Sequence, residues 1–319
     1  MSLGEFELIE RFFTRPTRRA VLGVGDDCAL FMPHPGMQVA TSTDLLIEGR
    51  HFLSTVAPAR LGHKALAVNL SDLAACGAQP FAFTLSLALP RVEASWLEGF
   101  SRGLLALADA HDCELIGGDT TQGPLAIGIS VFGEVPEGLA LLRSGARAGD
   151  DLYVSGTVGD ARLALEVFRG TLALDGERFE RVRRAMERPE PRVALGVALR
   201  GVASAALDVS DGLLGDLSHL LRRSGVGATV EADAVPRSAE LAAQPLEVQR
   251  LCTLSGGDDY ELLFTAAPAA RESVAAAARA AGVAAARIGR IEPQPGLRLV
   301  DAAQRPLALA WTSFDHFSA

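Results

Sequence analysis

The sharpest patterning in the chain is Phe81-Ala-Phe-Thr-Leu-Ser-Leu-Ala-Leu89, in which large apolar residues occupy every second position. A period of two predicts a strand with one apolar face for a core, and it leaves a face of small residues that a partner subunit could cover. By the same rule residues 37–44, 125–135, 152–155 and 260–265 are expected to be strands, with short strands following to the C-terminus. Elsewhere the period changes to that of a helix. Phe6, Ile9, Phe12 and Phe13 share one helical face that closes at Pro16, residues 59–75 are rich in Ala and Leu, and Trp96, Leu97, Phe100, Leu104, Leu107 and Ala108 mark a long helix.

The second half predicts helices over 160–168, 179–186, onward to about residue 200, 211–223 and 267–281. In 211–223, Leu213, Leu214, Leu217, Leu220 and Leu221 form the apolar face, and Ser210 stands where a side chain caps a first turn. Strands interleaved with helices specify an α/β (α+β) protein. Turn residues at Pro136-Glu-Gly138 and over 144–149 mark a boundary, which places an N-terminal domain at 1–137 and a C-terminal domain at 138–319.

Composition narrows the class. A chain of 319 residues is too long for one ordinary core, and with 49% apolar but only 6% aromatic residues, Ala, Leu and Val must supply most of the packing. Cys28, Cys76, Cys113 and Cys252 are far apart and suggest neither a zinc site nor a disulfide framework. A net charge of −9 with no basic run disfavours nucleic acid and anionic membrane as partners. No apolar run reaches membrane-spanning length and the amphipathic start does not resemble a signal peptide, so cytoplasm is expected.

Acids recur beside small, turn-forming residues: Gly25-Asp26-Asp27, Ser42-Thr43-Asp44, Asn69-Leu-Ser-Asp72, Gly117-Gly118-Asp119, Asp208-Val-Ser-Asp211-Gly212 and Gly256-Gly257-Asp258-Asp259. Carboxylates brought from many loops to one region repel one another unless cations sit among them, which points to several divalent ions with oxygen ligands and a polyphosphate. At Gly117-Gly118 the missing Cβ atoms would let N–H groups approach such a ligand, and Thr120 and Thr121 add hydroxyls; a plain strand-to-loop turn is the alternative. Asp208 and Asp211 are expected at a positive helix terminus.

The single lysine, Lys64, does not follow a Gly-x-x-x-x-Gly, and neither His-Arg-Asp nor Asp-Phe-Gly occurs, which excludes the P-loop and protein-kinase plans. Charge on a transferred group would then be met by metal ions and a few arginines, with Arg143 best placed in sequence. No Ser-His-Asp or Cys-His set stands out. A phosphate monoester, with a second pKa of about 6, would serve as acceptor without a strong general base.

Gly25-Asp-Asp-Cys-Ala, Ser42-Thr-Asp44, Asn69-Leu-Ser-Asp-Leu-Ala-Ala, Ile116-Gly-Gly-Asp-Thr-Thr, Asp208-Val-Ser-Asp-Gly-Leu and Ser255-Gly-Gly-Asp-Asp-Tyr-Glu-Leu, in this order, resemble the motifs of the thiamine-monophosphate kinase family. The likeness runs from Gly4-Glu-Phe to Phe314-Asp-His-Phe317. It implies the two-domain aminoimidazole ribonucleotide synthetase-like fold, with an N-terminal sheet domain that dimerises and a larger C-terminal α/β domain. It also implies a homodimer that uses ATP and Mg2+ to convert thiamine phosphate to thiamine diphosphate. By matching positions, Asp27, Ser42, Thr43, Asp44, Asp72, Asp119, Asp208 and Asp211 would hold Mg2+, Gly118, Asp119, Arg143 and Ser210 would contact ATP, and His51, Asp258 and Trp311 would face thiamine phosphate.

One departure stands out: Asp258 occupies a position where the family usually has Glu, which shortens the carboxylate's reach by one methylene. On residue type alone His51 reads as an ordinary half-buried histidine, Trp311 as packing, Arg143 as a solvated linker charge, and Asp112 and Asp216 as surface groups. Two rivals stand beside the kinase reading. One is another ATP-using member of the superfamily, although a selenophosphate synthetase would need a reactive residue before Cys28. The other is a regulator that holds Mg–ATP without turnover.

Overall fold

The computed structural model describes residues 4–308. The chain divides into two compact units, the first taking residues up to 73 and 78–138, the second taking 74–77 and residues from 139 onward. Among the described residues, no helix is long and apolar enough to cross a membrane.

The first unit holds helices α1 (Glu5–Phe12), α2 (Pro58–Ala75) and α3 (Ala94–Ala110), with strands β1 (Met37–Ile47), β2 (Gln79–Leu89), β3 (Glu114–Gln122) and β4 (Ala126–Pro136). The sheet order is β1-β4-β2-β3; β2 and β3 run parallel across α3, and β4 is antiparallel to both β1 and β2. The alternation read in β2 is realised, with Phe83, Leu85 and Leu87 buried and Ser86 exposed. Leu61, Leu66 and Leu70 of α2 and Leu97, Phe100 and Leu104 of α3 are also buried. In α1 Leu8 and Phe12, four residues apart, are buried, as is Phe13 at the C-cap, while Phe6 is 82% exposed, so of the face expected from the phenylalanines Phe12 and Phe13 face inward, Leu8 joins them and Phe6 does not.

The second unit is built on the order β11-β10-β7-β9-β5-β8-β6. Its strands are β5 (Asp151–Ser155), β6 (Ala205–Asp208), β7 (Gly227–Glu231), β8 (Leu262–Ala266), β9 (Ala285–Glu292), β10 (Gly296–Val300) and β11 (Pro306–Leu307). Its helices are α4 (Asp160–Phe168), α5 (Gly176–Glu187), α6 (Val193–Ala198), α7 (Leu213–Ser224), α8 (Ala239–Ala242), α9 (Leu246–Ser255) and α10 (Arg271–Ala281). Leu152, Val154, Leu207, Leu217, Leu263 and Ile288 belong to one core.

Three local expectations shift. Residues 114–122 form one strand, so Gly117-Gly118-Asp119 lies inside β3 and is not a turn. Helix α7 begins at Leu213, with Gly212 at φ 119° as its N-cap, and Ser210 does not cap it. Strand β8 starts at Leu262 because Tyr260, at φ 54°, is in the left-handed region and cannot extend a strand.

The loop carrying Asp26 and Asp27 is anchored to β3 and to the sheet. The Glu114 carboxylate accepts the backbone N–H groups of Arg18 (2.6 Å), Arg19 (3.1 Å) and Ala20 (3.2 Å). Phe31 packs on Phe81 and Phe132 with ring centroids 5.0 and 5.5 Å away. Burial by itself would raise the Glu114 pKa, but the N–H bonds from Ala20, Arg19 and Arg18 and the Arg18 charge outweigh it and hold the pKa below the ordinary value. We expect Glu114→Ala to destabilise the protein by about 1–3 kcal/mol, since the three donors lose their acceptor. A depressed carboxylate contributes above its unfolded pKa of about 4.3. In urea unfolding, then, the gap between variant and parent should persist at neutral pH and close as the pH falls through the folded pKa; an equal gap at all pH values would contradict this.

Candidate active site

In the first unit, α2 and β1 bring three of the expected residues together. Asn69 and Asp72 are three apart on α2 and so share a helical face, while Ser42 and Asp44 are two apart on β1 and share a strand face. The Ser42 hydroxyl donates to Asp72 Oδ2 at 2.5 Å. The buried Asn69 accepts the Asp44 N–H at 3.0 Å and donates its own amide to Ala65 O at 3.0 Å, which satisfies a polar side chain inside a helix. Thr43 falls on the other side of the strand, where its hydroxyl pairs with Ser130 Oγ at 2.7 Å. The structure therefore does not group the Thr43 side chain with Ser42 and Asp72, because strand neighbours alternate faces.

Asp119 belongs to the opposite edge. Pairing runs Asp44–Ile129, Ile129–Leu85 and Leu85–Gly118, so Asp44 and Asp119 lie in adjacent rows on the two edge strands. Three strand spacings separate those strands by roughly 14 Å along the sheet, too far for one ion to join them within a protomer. Gly118, at φ 148°, is required by the sheet itself: a Cβ there would lie 1.9 Å from Leu85 O. The glycine thus serves the approach of β3 to β2, where the sequence had suggested an approach to a ligand. Asp27 is exposed, in a turn in which its N–H donates to Asp26 Oδ1 at 2.8 Å. His51 is half-buried, and its Nδ1 accepts the Ile47 N–H at 3.0 Å, which puts the proton of a neutral ring on Nε2.

In the second unit two loops are joined backbone to backbone. Asp258 donates its N–H to Ser210 O at 2.8 Å, and Tyr260 donates to Val209 O at 2.9 Å. Gly257 permits this closeness, since a Cβ would come within 2.3 Å of Ser210 O. Asp208 ends β6, an edge strand, and Ala206 of that strand donates to Leu142 O at 2.9 Å, so the segment leading into exposed Arg143 borders the same edge. Asp258 has φ 72°, a conformation that Asp adopts more readily than Glu, and this is the local setting of the departure noted above. Trp311 lies outside the described residues.

Residues given no binding role from the sequence organise these loops. Asp216 was expected at the surface but is buried, and its Oδ2 accepts N–H groups from Ser210, Asp211 and Gly212. Burial pushes its carboxyl up to about 7, helped by the Asp211 charge and opposed by the three N–H groups. Asp259 Oδ1 accepts the Gly159 N–H at 2.8 Å at the start of α4, while its Oδ2 is buried without a partner. Burial, with the charges of Asp160, Glu261 and Asp258, raises its pKa well above the ordinary value. Arg192 holds the buried Glu261 through two bonds of 2.8 and 2.5 Å. The one available signal for Asp216 was an acid in the first turn of a helix.

Among the described residues, no three His, Cys, Asp or Glu side chains are grouped to hold a metal. The candidate donors are carboxylate and hydroxyl oxygens, a hard set that suits Mg2+, which takes one or two carboxylates and completes its shell with water and phosphate oxygens.

Residues 25–135 match the AIR synthase related protein, N-terminal domain family, and residues 147–302 match the corresponding C-terminal domain, which bears out the expected fold. The thiamine-monophosphate kinase of Salmonella typhimurium is 45% identical over 325 residues, spanning 100% of this chain and 99% of the relative. The crystal structure of thiamine-monophosphate kinase from Stenotrophomonas maltophilia has a TM-score of 0.86 at 45% identity, covering 94% of this chain and 97% of the other. AaThiL complexed with AMPPCP and TMP has a TM-score of 0.78 at 30% identity, covering 90% and 89%. Both domain matches in order, with relatives of this identity over the full length, show that the chain belongs to the thiamine-monophosphate kinase family.

Proposed function

We propose that this chain transfers the γ-phosphoryl group of ATP directly, in line, to thiamine phosphate, giving thiamine diphosphate and ADP with the aid of several Mg2+ ions. The observation that carries the reading is the bonded pair of loops in the second unit. They hold Ser210 and Asp211, assigned to ATP and metal, beside Asp258, assigned to thiamine phosphate. Substrate positioning of this kind is the main contribution a protein makes to phosphoryl transfer.

The proposed Mg2+ ligands are Asp27, Ser42, Thr43, Asp44, Asp72 and Asp119 of the first unit and Asp208 and Asp211 of the second, with Thr43 acting through its backbone because its hydroxyl is paired with Ser130. Bound Mg2+ would screen the charge of two anionic substrates. Gly118, Asp119, Arg143 and Ser210 would hold ATP, and His51, Asp258 and Trp311 thiamine phosphate. His51 would donate from Nε2, and Asp258 would accept from the substrate amine. The acceptor phosphate is largely anionic at neutral pH, so no residue is assigned as a strong base and no phosphoenzyme is formed.

A homodimer, with cytoplasmic residence, completes the proposal. Edge strand β1 exposes Met37 and Val39 at one end and Leu45 and Ile47 at the other, with exposures of 36, 42, 55 and 41% and the exposed Thr41 and Thr43 between them, a largely apolar row that a second copy would cover. Pairing of β1 in one copy with β3 in the other would also bring Asp44 of the first toward Asp119 of the second.

Purified protein with ATP and excess Mg2+ should release ADP only when thiamine phosphate is present, with thiamine diphosphate appearing in equal amount. ADP release without that product would favour a different member of the superfamily, and binding without release would favour a regulator. Asp44→Asn and Asp211→Asn should each lower kcat by about two to three orders of magnitude and leave the unfolding midpoint nearly unchanged. Asp258→Ala should raise the KM for thiamine phosphate about tenfold or more without moving that for ATP; the opposite split would remove its assignment. Sedimentation should give twice the monomer mass, and a monomer at micromolar concentration would sink the dimer.

A further inference from the structure

The start of a helix carries N–H groups that lack helical partners and a partial positive charge, and it commonly takes a phosphate. Before α7 the N–H groups of the N-cap Gly212 and of the two residues preceding it are already occupied. Asp216 lies within the first turn, and its single oxygen Oδ2 accepts the N–H groups of Ser210 at 3.0 Å, Asp211 at 3.1 Å and Gly212 at 3.2 Å. Three consecutive donors converging on one buried acceptor determine the path of this loop. Gly212, at φ 119°, makes the turn that the convergence requires, and a Cβ there would lie 2.9 Å from Ser255 O. On its other side the loop receives the N–H groups of Asp258 and Tyr260 through Ser210 O and Val209 O. With these N–H groups turned inward, the Ser210–Gly212 backbone has no donors left for a phosphate, and the side chains of Ser210 and Asp211 are what it can offer.

We propose that Asp216 is a positioning residue: by filling the N–H nest before α7 it fixes the backbone from which Ser210 and Asp211 reach Mg–ATP, and it keeps phosphate out of the nest. The proposal rests on the reading that Ser210 and Asp211 serve Mg–ATP. It requires no charge transfer by Asp216 and no contact between Asp216 and either substrate.

The test compares Asp216→Ala, Asp216→Asn and a control, Asp175→Ala, in the full chain. Asp175 caps α5 by accepting the Arg178 N–H at 2.9 Å, so the control removes a helix cap remote in role from the loop. Asp216→Ala should raise both the Mg2+ half-saturation point and the ATP KM by about tenfold or more, the equivalent of a lost hydrogen-bonded charge. Asp216→Asn keeps an oxygen acceptor and should stay within about threefold by the same scale. The control should lose thermal stability with neither constant moving. If Asp216→Ala is less stable yet has parental Mg2+ and ATP dependence, Asp216 is only structural and the proposal is overturned. Should Asp216→Ala not fold, Asp216→Glu, which displaces the acceptor by one methylene, is held to the same expectations.

Amide hydrogen exchange separates this from failure of the underlying reading. If Asp211→Asn leaves Mg–ATP dependence unchanged, the assignment of Asp211 falls. Exchange at residues 210–212 then decides the role of Asp216: slow in the parent and fast in Asp216→Ala supports the nest, and equal rates overturn it.

Discussion

Buried carboxylates that collect backbone N–H groups are the interaction on which the candidate loops depend. Glu114 collects Arg18, Arg19 and Ala20, Asp216 collects Ser210, Asp211 and Gly212, Glu134 takes the His34 N–H, and Asp259 takes that of Gly159. A loop cannot satisfy its own donors through a ladder, and a buried donor left unpaired is costly. An internal acid solves this locally and leaves the loop in one conformation. The acids of this chain therefore include some that hold the loops and others that are presented, the exposed Asp27 by a loop and the exposed Asp119 by strand β3.

Close backbone approach is the second constraint, and it explains two of the glycine motifs. Gly118 meets Leu85 O across the sheet and Gly257 meets Ser210 O between loops, each at a distance no Cβ could tolerate. Both glycines are followed directly by an acid, so the requirement for contact between backbones also sets where that acid stands. The left-handed Asp258 follows from the same tight arrangement and suits the shorter of the two acidic side chains.

Membership of the thiamine-monophosphate kinase family agrees with these features. A reaction between two anions needs little covalent help from the protein and much fixed geometry. A framework of welded loops carrying oxygen donors fits that need, and the absence of a P-loop lysine accords with the proposal that carboxylates would recruit the cations.

Much of this was legible in the residues taken in order. The period-two run of β2, the long helices α2 and α3, and the recurring acids beside small residues are local properties, since side-chain alternation and turn chemistry act over a few positions. Ordered motifs likewise carried the family and the fold. What needed the folded chain was everything that joins distant residues: that Asn69 latches Asp44, that Thr43 faces away from Ser42, that Gly117-Gly118 lies within a strand, and that Asp216 is buried beneath the loop it holds. Residue type and spacing say which groups could hydrogen-bond. Only tertiary packing decides which of them lose water and must find one another.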